Sequence, residues 1–127
     1  VHSYLSGLAV EVMSSSDNVM RAAFTSKNVD LQEFFATAKI ESHLPAQVTQ
    51  RDSSTNTVDY EIQSAPFGVQ KITVNSDMTI QANHEVELYL CVQGHSGALH
   101  QGQACILQQH EVLQLEKDSA VFRVWGN

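Results

Sequence analysis

From residue 58 to residue 125 the chain is a succession of short runs rich in β-branched, aromatic and aliphatic residues, and no helical period appears among them. Candidate strands fall at 58–62, 67–74, 78–82, 85–92, 96–100, 103–108, 111–116 and 120–125. Turn chemistry separates them at Ala65-Pro66, Asn75-Ser76-Asp77, Gln93-Gly94 and Gln101-Gly102. Runs at this spacing predict an antiparallel sandwich or barrel. In 86–92, Val86, Leu88, Leu90 and Val92 alternate with Glu87, Tyr89 and Cys91, so one face of that strand is apolar. Ahead of the runs, residues 46–58 are polar, Ser/Thr-rich and poor in large apolar groups, which predicts a connection over the surface.

One helix is legible. Asp30 precedes Leu31 and stands three places before Glu33, a capping-box arrangement that satisfies first-turn amides. Leu31, Phe34, Phe35 and Ala38 share a face, with Lys39 at the negative end of the dipole. The pattern predicts about ten residues of helix, roughly 31–40, ending before Pro45. Upstream, Leu5, Leu8, Val10 and Val12 interleave with Ser6, Ala9 and Glu11 at the period of a half-buried strand. Ser14 to Asn18 form a loop of short side chains that bond their own backbone, and Val19 to Phe24 returns as a second extended piece carrying Arg21. The expected organisation is a first part at 1–45 and a β domain at 46–127.

Seven Lys+Arg against fourteen Asp+Glu leave a net charge of −7, which disfavours nucleic acid and anionic membranes as partners. No apolar run is long enough to span a bilayer, and no signal peptide is visible. Cys91 and Cys105 sit in apolar strand-like runs and read as buried free thiols of a cytoplasmic protein rather than a disulfide. The few cations make it notable that Arg21 and Lys27 share one short stretch with His2, Glu11 and Asp17. An imidazole, two carboxylates and two cations this close suit an anionic substrate that needs a proton moved.

In that stretch His2, Tyr4, Gly7, Glu11, Met13, Ser16, Asp17, Asn18, Arg21, Ala22, Thr25 and Lys27 fall in register with a known signature. It closely resembles the signature segment of the type I mannose-6-phosphate isomerases. Departures are Ser3 and Ser14 where that family has Ala, Ala23 where it has Gly, and Ser26 where it has Pro. None removes an ionisable group, although the last two change the turn, since Gly permits positive φ and Pro fixes φ near about −65°. The later strands are similar, more weakly, to the same family's C-terminal cupin-like domain, with Gln109-His110 where a Pro-Gly turn is usual. The family also runs one strand beyond Trp125. The resemblance therefore implies a mainly β, cupin-like antiparallel sandwich or jelly roll with one short helix. Residues 1–45 would be the rear of a catalytic barrel. Because His2, a chemically loaded residue, stands next to a non-Met start, the chain is expected to be the C-terminal piece of a longer enzyme.

The resemblance implies interconversion of mannose 6-phosphate and fructose 6-phosphate through an enediol(ate). That chemistry polarises a carbonyl, supplies a base and holds a phosphate dianion. Zinc with an open position suits the first task. His2 would be one of four protein ligands, with a Gln, a His and a Glu supplied by the absent upstream half, so this piece alone is expected to hold no zinc and to be inactive. Arg21 would stabilise the enediolate or grip substrate, its alternative being a salt bridge to Glu11 or Asp17. Glu11 and Asp17 are candidate acid/base groups or orienters of Arg21. Lys27 would meet the phosphate, unless it is a solvated surface lysine. Tyr4 and Asn18 are placed at the substrate, with core packing the equal alternative for Tyr4. His43, His84, His95, His100 and His110 lack the His-x-His…Glu…His spacing of a metal-binding cupin, so the second barrel reads as metal-free. The competing function is a non-catalytic cupin-like sugar-binding or oligomerisation module. The apolar face of residues 1–12, without its barrel, predicts self-association or fraying.

Overall fold

A computed structural model describes residues 6–15, 19–39, 49–54, 56–61 and 66–126. The chain divides into two compact units, 1–46 and 47–127. No helix among the described residues is long and apolar enough to cross a membrane.

Among the described residues of the first unit the one regular element is α1, Leu31–Thr37. Asp30 caps it as the sequence predicts, its Oδ1 accepting the Glu33 N–H at 2.9 Å. The helix is shorter than expected, because Ala38 is already extended at φ −68°, ψ 124°. The Thr37 hydroxyl donates back to the Glu33 carbonyl at 2.8 Å, a competing bond that weakens a last turn. Lys39 therefore lies beyond the last turn, and the predicted apolar face is divided: Phe34 and Ala38 are half-buried while Leu31 and Phe35 are exposed.

The expected strand over 5–12 is corrected. Residues 8–14 are not in a ladder, although Val10 and Val12 are half-buried while Leu8, Ala9, Glu11 and Met13 are exposed. The alternation survives in the burial, but among the described residues no strand pairs with it, and an unpaired strand has no partner for its backbone groups. Val19 to Phe24 is likewise not a strand; it bends at Ala23-Phe24, with Phe24 at φ 54°.

Among the described residues the second unit is built from ten antiparallel strands. They are β1 (Thr49–Ser54), β2 (Thr57–Glu61), β3 (Phe67–Thr73), β4 (Met78–Gln81), β5 (Val86–Gln93), β6 (His95–Ser96), β7 (Leu99–His100), β8 (Ala104–Gln108), β9 (Val112–Leu115) and β10 (Ala120–Gly126). The large sheet runs β1-β2-β3-β10-β5-β8, with β4-β9 and β6-β7 as separate pairs. Two predictions fail locally. The polar stretch read as a connection contains β1, which pairs with β2; an edge strand wet on its open side can be polar throughout. The run 96–100 is not one strand but a hairpin folded at Gly97-Ala98.

Met78 and Ile80 of β4 and Leu113 and Leu115 of β9 pack across Ile72, Cys91 and Val121 of the large sheet. Two layers with an apolar filling make this unit an antiparallel sandwich, so the chain is mainly β, with one short helix among the described residues. The chain's last strand, β10, lies mid-sheet between β3 and β5, so the sheet closes only through contacts far apart in sequence. The apolar face foreseen for β5 is not the core face. Glu87, Tyr89 and Cys91 are the buried set, while Val86 and Leu88 point outward and are exposed.

Candidate functional site

The structure treats the signature residues unevenly. His2, Tyr4, Asp17 and Asn18 lie outside the described residues. Glu11 is exposed on the unpaired segment. Arg21 is half-buried, and its Nη1 donates to the Val19 carbonyl at 3.4 Å. Lys27 is exposed, its backbone N–H held by Thr25 Oγ1 at 3.1 Å. Among the described residues no ion pair joins Arg21 to Glu11, and the other proposed partner, Asp17, lies outside them. Gly7 stands at φ 116°, a backbone state that favours glycine. One residue past Ala23, Phe24 takes the left-handed conformation and is 95% exposed; bulky side chains rarely adopt it.

The densest polar chemistry lies elsewhere, in the β unit, and sequence reasoning missed it. The registers of β2, β3, β10, β5 and β8 align Asp59, Gln70, Arg123, Tyr89 and Cys105 in one row across the inner face, with Trp125 and Glu87 in the next. Glu87 is fully buried. Its Oε1 accepts the backbone N–H groups of Asn83 and His84 at 2.8 and 2.9 Å, His84 Nδ1 at 2.7 Å and Arg123 Nη2 at 2.6 Å. Its Oε2 accepts the Tyr89 hydroxyl at 2.5 Å and Arg123 Nε at 2.6 Å. The imidazole of His84 stacks on Trp125 at 4.9 Å, and the Arg123 guanidinium lies 5.4 Å from the same indole. Gln70 Nε2 donates to Asp59 Oδ1 at 2.6 Å.

These contacts set the charges. Burial alone would raise the Glu87 carboxyl, but the hydrogen bonds from Arg123, Tyr89 and His84 outweigh it and hold the group well below the usual carboxylate range. Burial, then the bond to Glu87, pushes the Tyr89 phenol well above its ordinary value. The Glu87 bonds likewise raise Arg123. Cys91 and Cys105 are both free, the first buried and the second half-buried, and burial raises the Cys105 thiol. Every acceptor position on Glu87 is filled, so the cluster orients and locks strands rather than offering a vacant group to a substrate. The signal in the sequence was a Glu alternating with Tyr and Cys, opposite an Arg two residues before Trp125. Alternation separates two faces without saying which is inside.

Among the described residues no three His, Cys, Asp or Glu side chains stand where they could hold a metal ion. What the fold and these groups define is an antiparallel β unit whose buried polar chemistry is structural, preceded by a segment in which Glu11 and Lys27 are exposed and Arg21 is half-buried. Sequence comparison gives that class a family. The chain is 31% identical over 126 residues to the mannose-6-phosphate isomerase of Salmonella typhimurium, an alignment covering 98% of this chain and 32% of that protein. It is 33% identical over 94 residues to the mannose-6-phosphate isomerase of Escherichia coli, covering 73% of this chain and 24% of that protein. By sequence the chain belongs to the mannose-6-phosphate isomerase family, and it spans about a third or less of the length of the curated relatives it matches. No family model matches it. A solved structure of the plu4264 protein from Photorhabdus luminescens superposes with a TM-score of 0.45 at 12% identity, covering 71% of this chain and 89% of that one, a likeness too loose to build on.

Proposed function

We propose that this chain contributes to a zinc-dependent mannose-6-phosphate isomerase that interconverts mannose 6-phosphate and fructose 6-phosphate by enediol proton transfer. It acts with the rest of such an enzyme and is inactive alone. The observation that carries this reading is the identity across 126 residues to an isomerase relative, together with Glu11, Arg21 and Lys27 in register with the signature. The described residues do not supply a zinc donor set; His2, outside them, is the imidazole this chain offers, and the other donors belong to the rest of the enzyme.

Arg21, half-buried, would use its permanently charged fork to hold an enediolate or a phosphate. Lys27 presents an exposed ammonium six residues on, suited to the phosphate dianion. Glu11, exposed on the same segment, would take or return a proton, with Asp17 as its counterpart. Tyr4 and Asn18 complete the sugar contacts. Free thiols at Cys91 and Cys105 support a reducing compartment, the cytoplasm. We read the sandwich as cupin-like and as the module that carries this segment.

The test joins this chain to the upstream part of an isomerase relative and measures aldose–ketose conversion. Arg21→Ala is expected to lower kcat about 10²-fold or more, the scale of losing one charge-stabilising group. Lys27→Ala is expected to raise KM. An active join in which Arg21→Ala turns over as fast as the parent overturns the assignment. A folded join that binds hexose phosphate without converting it favours a non-catalytic sugar-binding module.

A further inference from the structure

The large sheet ends on β8, which among the described residues has no neighbour on its outer side. Backbone groups of successive residues in a strand point to alternate sides. Here the Gln103 carbonyl accepts the Cys91 N–H at 2.9 Å, and the Gln109 N–H donates to the Glu85 carbonyl at 3.1 Å. The odd-numbered residues therefore face β5, while Ala104, Ile106 and Gln108 face out. Gln108 is already engaged: its N–H donates to Glu111 Oε2 at 2.7 Å, and its carbonyl accepts the Glu111 N–H at 3.0 Å. Ala104 and Ile106 keep an N–H and a C=O each at the open edge, unmatched among the described residues.

The side chains leave the same edge unguarded. β8 reads Ala-Cys-Ile-Leu-Gln, with no charge and no proline, the devices that usually keep sheet edges apart. Ile106 is 65% exposed, and its cross-strand partner Leu88 and the neighbouring Val86 are exposed beside it. An open edge of this kind accepts a further strand. The two open residues select which one. If Ala104 pairs antiparallel with Ile106 of a second copy, each pair exchanges both N–H···O bonds, and the two-fold axis passes at Cys105. The ladder then stops where the open groups stop, since Gln108 is occupied and the Gly102 N–H turns back to the Cys91 carbonyl at 2.8 Å. Number and spacing of the open groups are thus matched by the same strand in another copy. The net charge of −7 does not oppose this contact at the strand itself, which carries none of it.

We propose that β8 is a homotypic pairing edge, on which a second copy of this chain docks antiparallel with Ala104 against Ile106 and Cys105 against Cys105. The pair at the axis is a non-hydrogen-bonded one, with Cα atoms about 4.5 Å apart, inside the roughly 4.4–6.8 Å that a disulfide spans. Both thiols lie on one face of the joined sheet, because a two-fold axis normal to a sheet preserves its faces. On the other face the exposed Leu88 and Ile106 of one copy continue into those of the next, which adds apolar contact to the bonds. A ladder this short buries less than the about 1,200 Å² of a stable complex, so the pairing is transient at micromolar concentration. It needs no disulfide, and the thiols serve only to report it. The edge shares no residue with the isomerase signature.

The test treats the full chain with diamide, which takes up the two electrons and two protons released as an S–S bond forms. A covalent dimer is expected on a non-reducing gel, with none from Cys105→Ser. In Ile106→Pro, a change that an edge strand accepts because the lost N–H points outward, dimer formation should slow at least about tenfold. Ile106→Lys, which places a charge on the edge, should slow it likewise, and Trp125 emission verifies that both variants are folded. Register is read from Cys105→Ser/Gln108→Cys. Position 108 is exposed, yet its counterpart in the paired copy lies about 20 Å along the ladder, so this variant should not link. Association through the first unit would link both positions without preference. No dimer from the parent, a dimer that survives Cys105→Ser, linkage through position 108 as fast as through 105, or a rate unchanged in both Ile106 variants overturns the proposal.

Discussion

Glu87 is the residue on which most of the buried polar chemistry converges, and its energetics are asymmetric. A carboxylate taken wholly out of water is costly unless paired, and removing one partner leaves the other charge stranded. Arg123→Met is therefore expected to destabilise the chain by about 3–5 kcal/mol. Glu87→Leu combined with Arg123→Met should cost clearly less than the two single changes added, because the double variant buries no orphan charge. Denaturant unfolding followed through Trp125 measures this, and strict additivity would sink the account. The same residues give a pH dependence with a definite sign. Glu87 is depressed when folded, so its contribution is complete above the ordinary glutamate value of about 4.3 and is lost as pH falls below it. Tyr89 is raised, so its contribution is complete below about pH 10 and is lost as pH rises beyond. Thermal unfolding should show a plateau between those limits, and the double variant should lose part of the acid slope. An acid slope identical in parent and double variant would mean that Glu87 is not the group responsible.

At the scale of elements, Gly68 of β3 leaves room for the Trp125 indole of β10, its ladder partner. A methyl group there would lie 2.2 Å from the indole of Trp125, and that ring is already stacked on His84. Gly68→Ala is expected to cost about 1–3 kcal/mol by overpacking and to shift the emission of Trp125, the chain's one tryptophan. An unchanged spectrum and midpoint would show that the ring yields freely. Such contacts mark where reading the sequence stops. Seven of the strand runs from 58 onward were legible, because alternation and turn residues are local signals. Asp30 announced its helix for the same reason. The length of α1 was not, since Thr37 bonds back into its own last turn. Nor was β1, whose polar residues carry no alternation. The inner face of β5 was misjudged because a buried Glu becomes affordable only when Arg123, 36 residues away, arrives opposite. His110 adds a smaller case: it holds φ 74° at a turn where a glycine is the natural choice, so the turn forms although its usual residue is absent. Of the candidate site, the sequence made the identity of the charged groups legible but not their geometry, which pairing partners outside this stretch decide.

For the whole molecule the contrast between the two units matters most. Every fully buried side chain among the described residues belongs to the second unit, with Ile72, Val74, Cys91, Leu115 and Val121 at its centre. In the first unit none of the described residues is buried, and Leu8, Met13, Met20, Phe24, Leu31 and Phe35 are large, apolar and exposed. A surface of that kind is rarely left wet, because transferring it out of water yields about 25 cal/mol per Å². The second unit, with its own core and its own polar network, is expected to fold when made as residues 47–127 alone, keeping the Trp125 emission and the melting transition of the full chain. The full chain is expected to self-associate in sedimentation at micromolar concentration, and the shortened chain to be monomeric. Net charge does not protect against this, since the exposed apolar side chains outnumber the carboxylates Glu11, Asp30 and Glu33 described beside them. A monomeric full chain whose amides at 8–12 resist hydrogen exchange would show that the opening segment is covered within the chain itself. Association that persists undiminished in 47–127 would instead point to the outward face of β5 and β8, where Val86, Leu88 and Ile106 are exposed. The first unit exposes large apolar side chains, and Glu11 and Lys27 of the signature are exposed in the same unit. The expectation is that whatever covers it also completes the site.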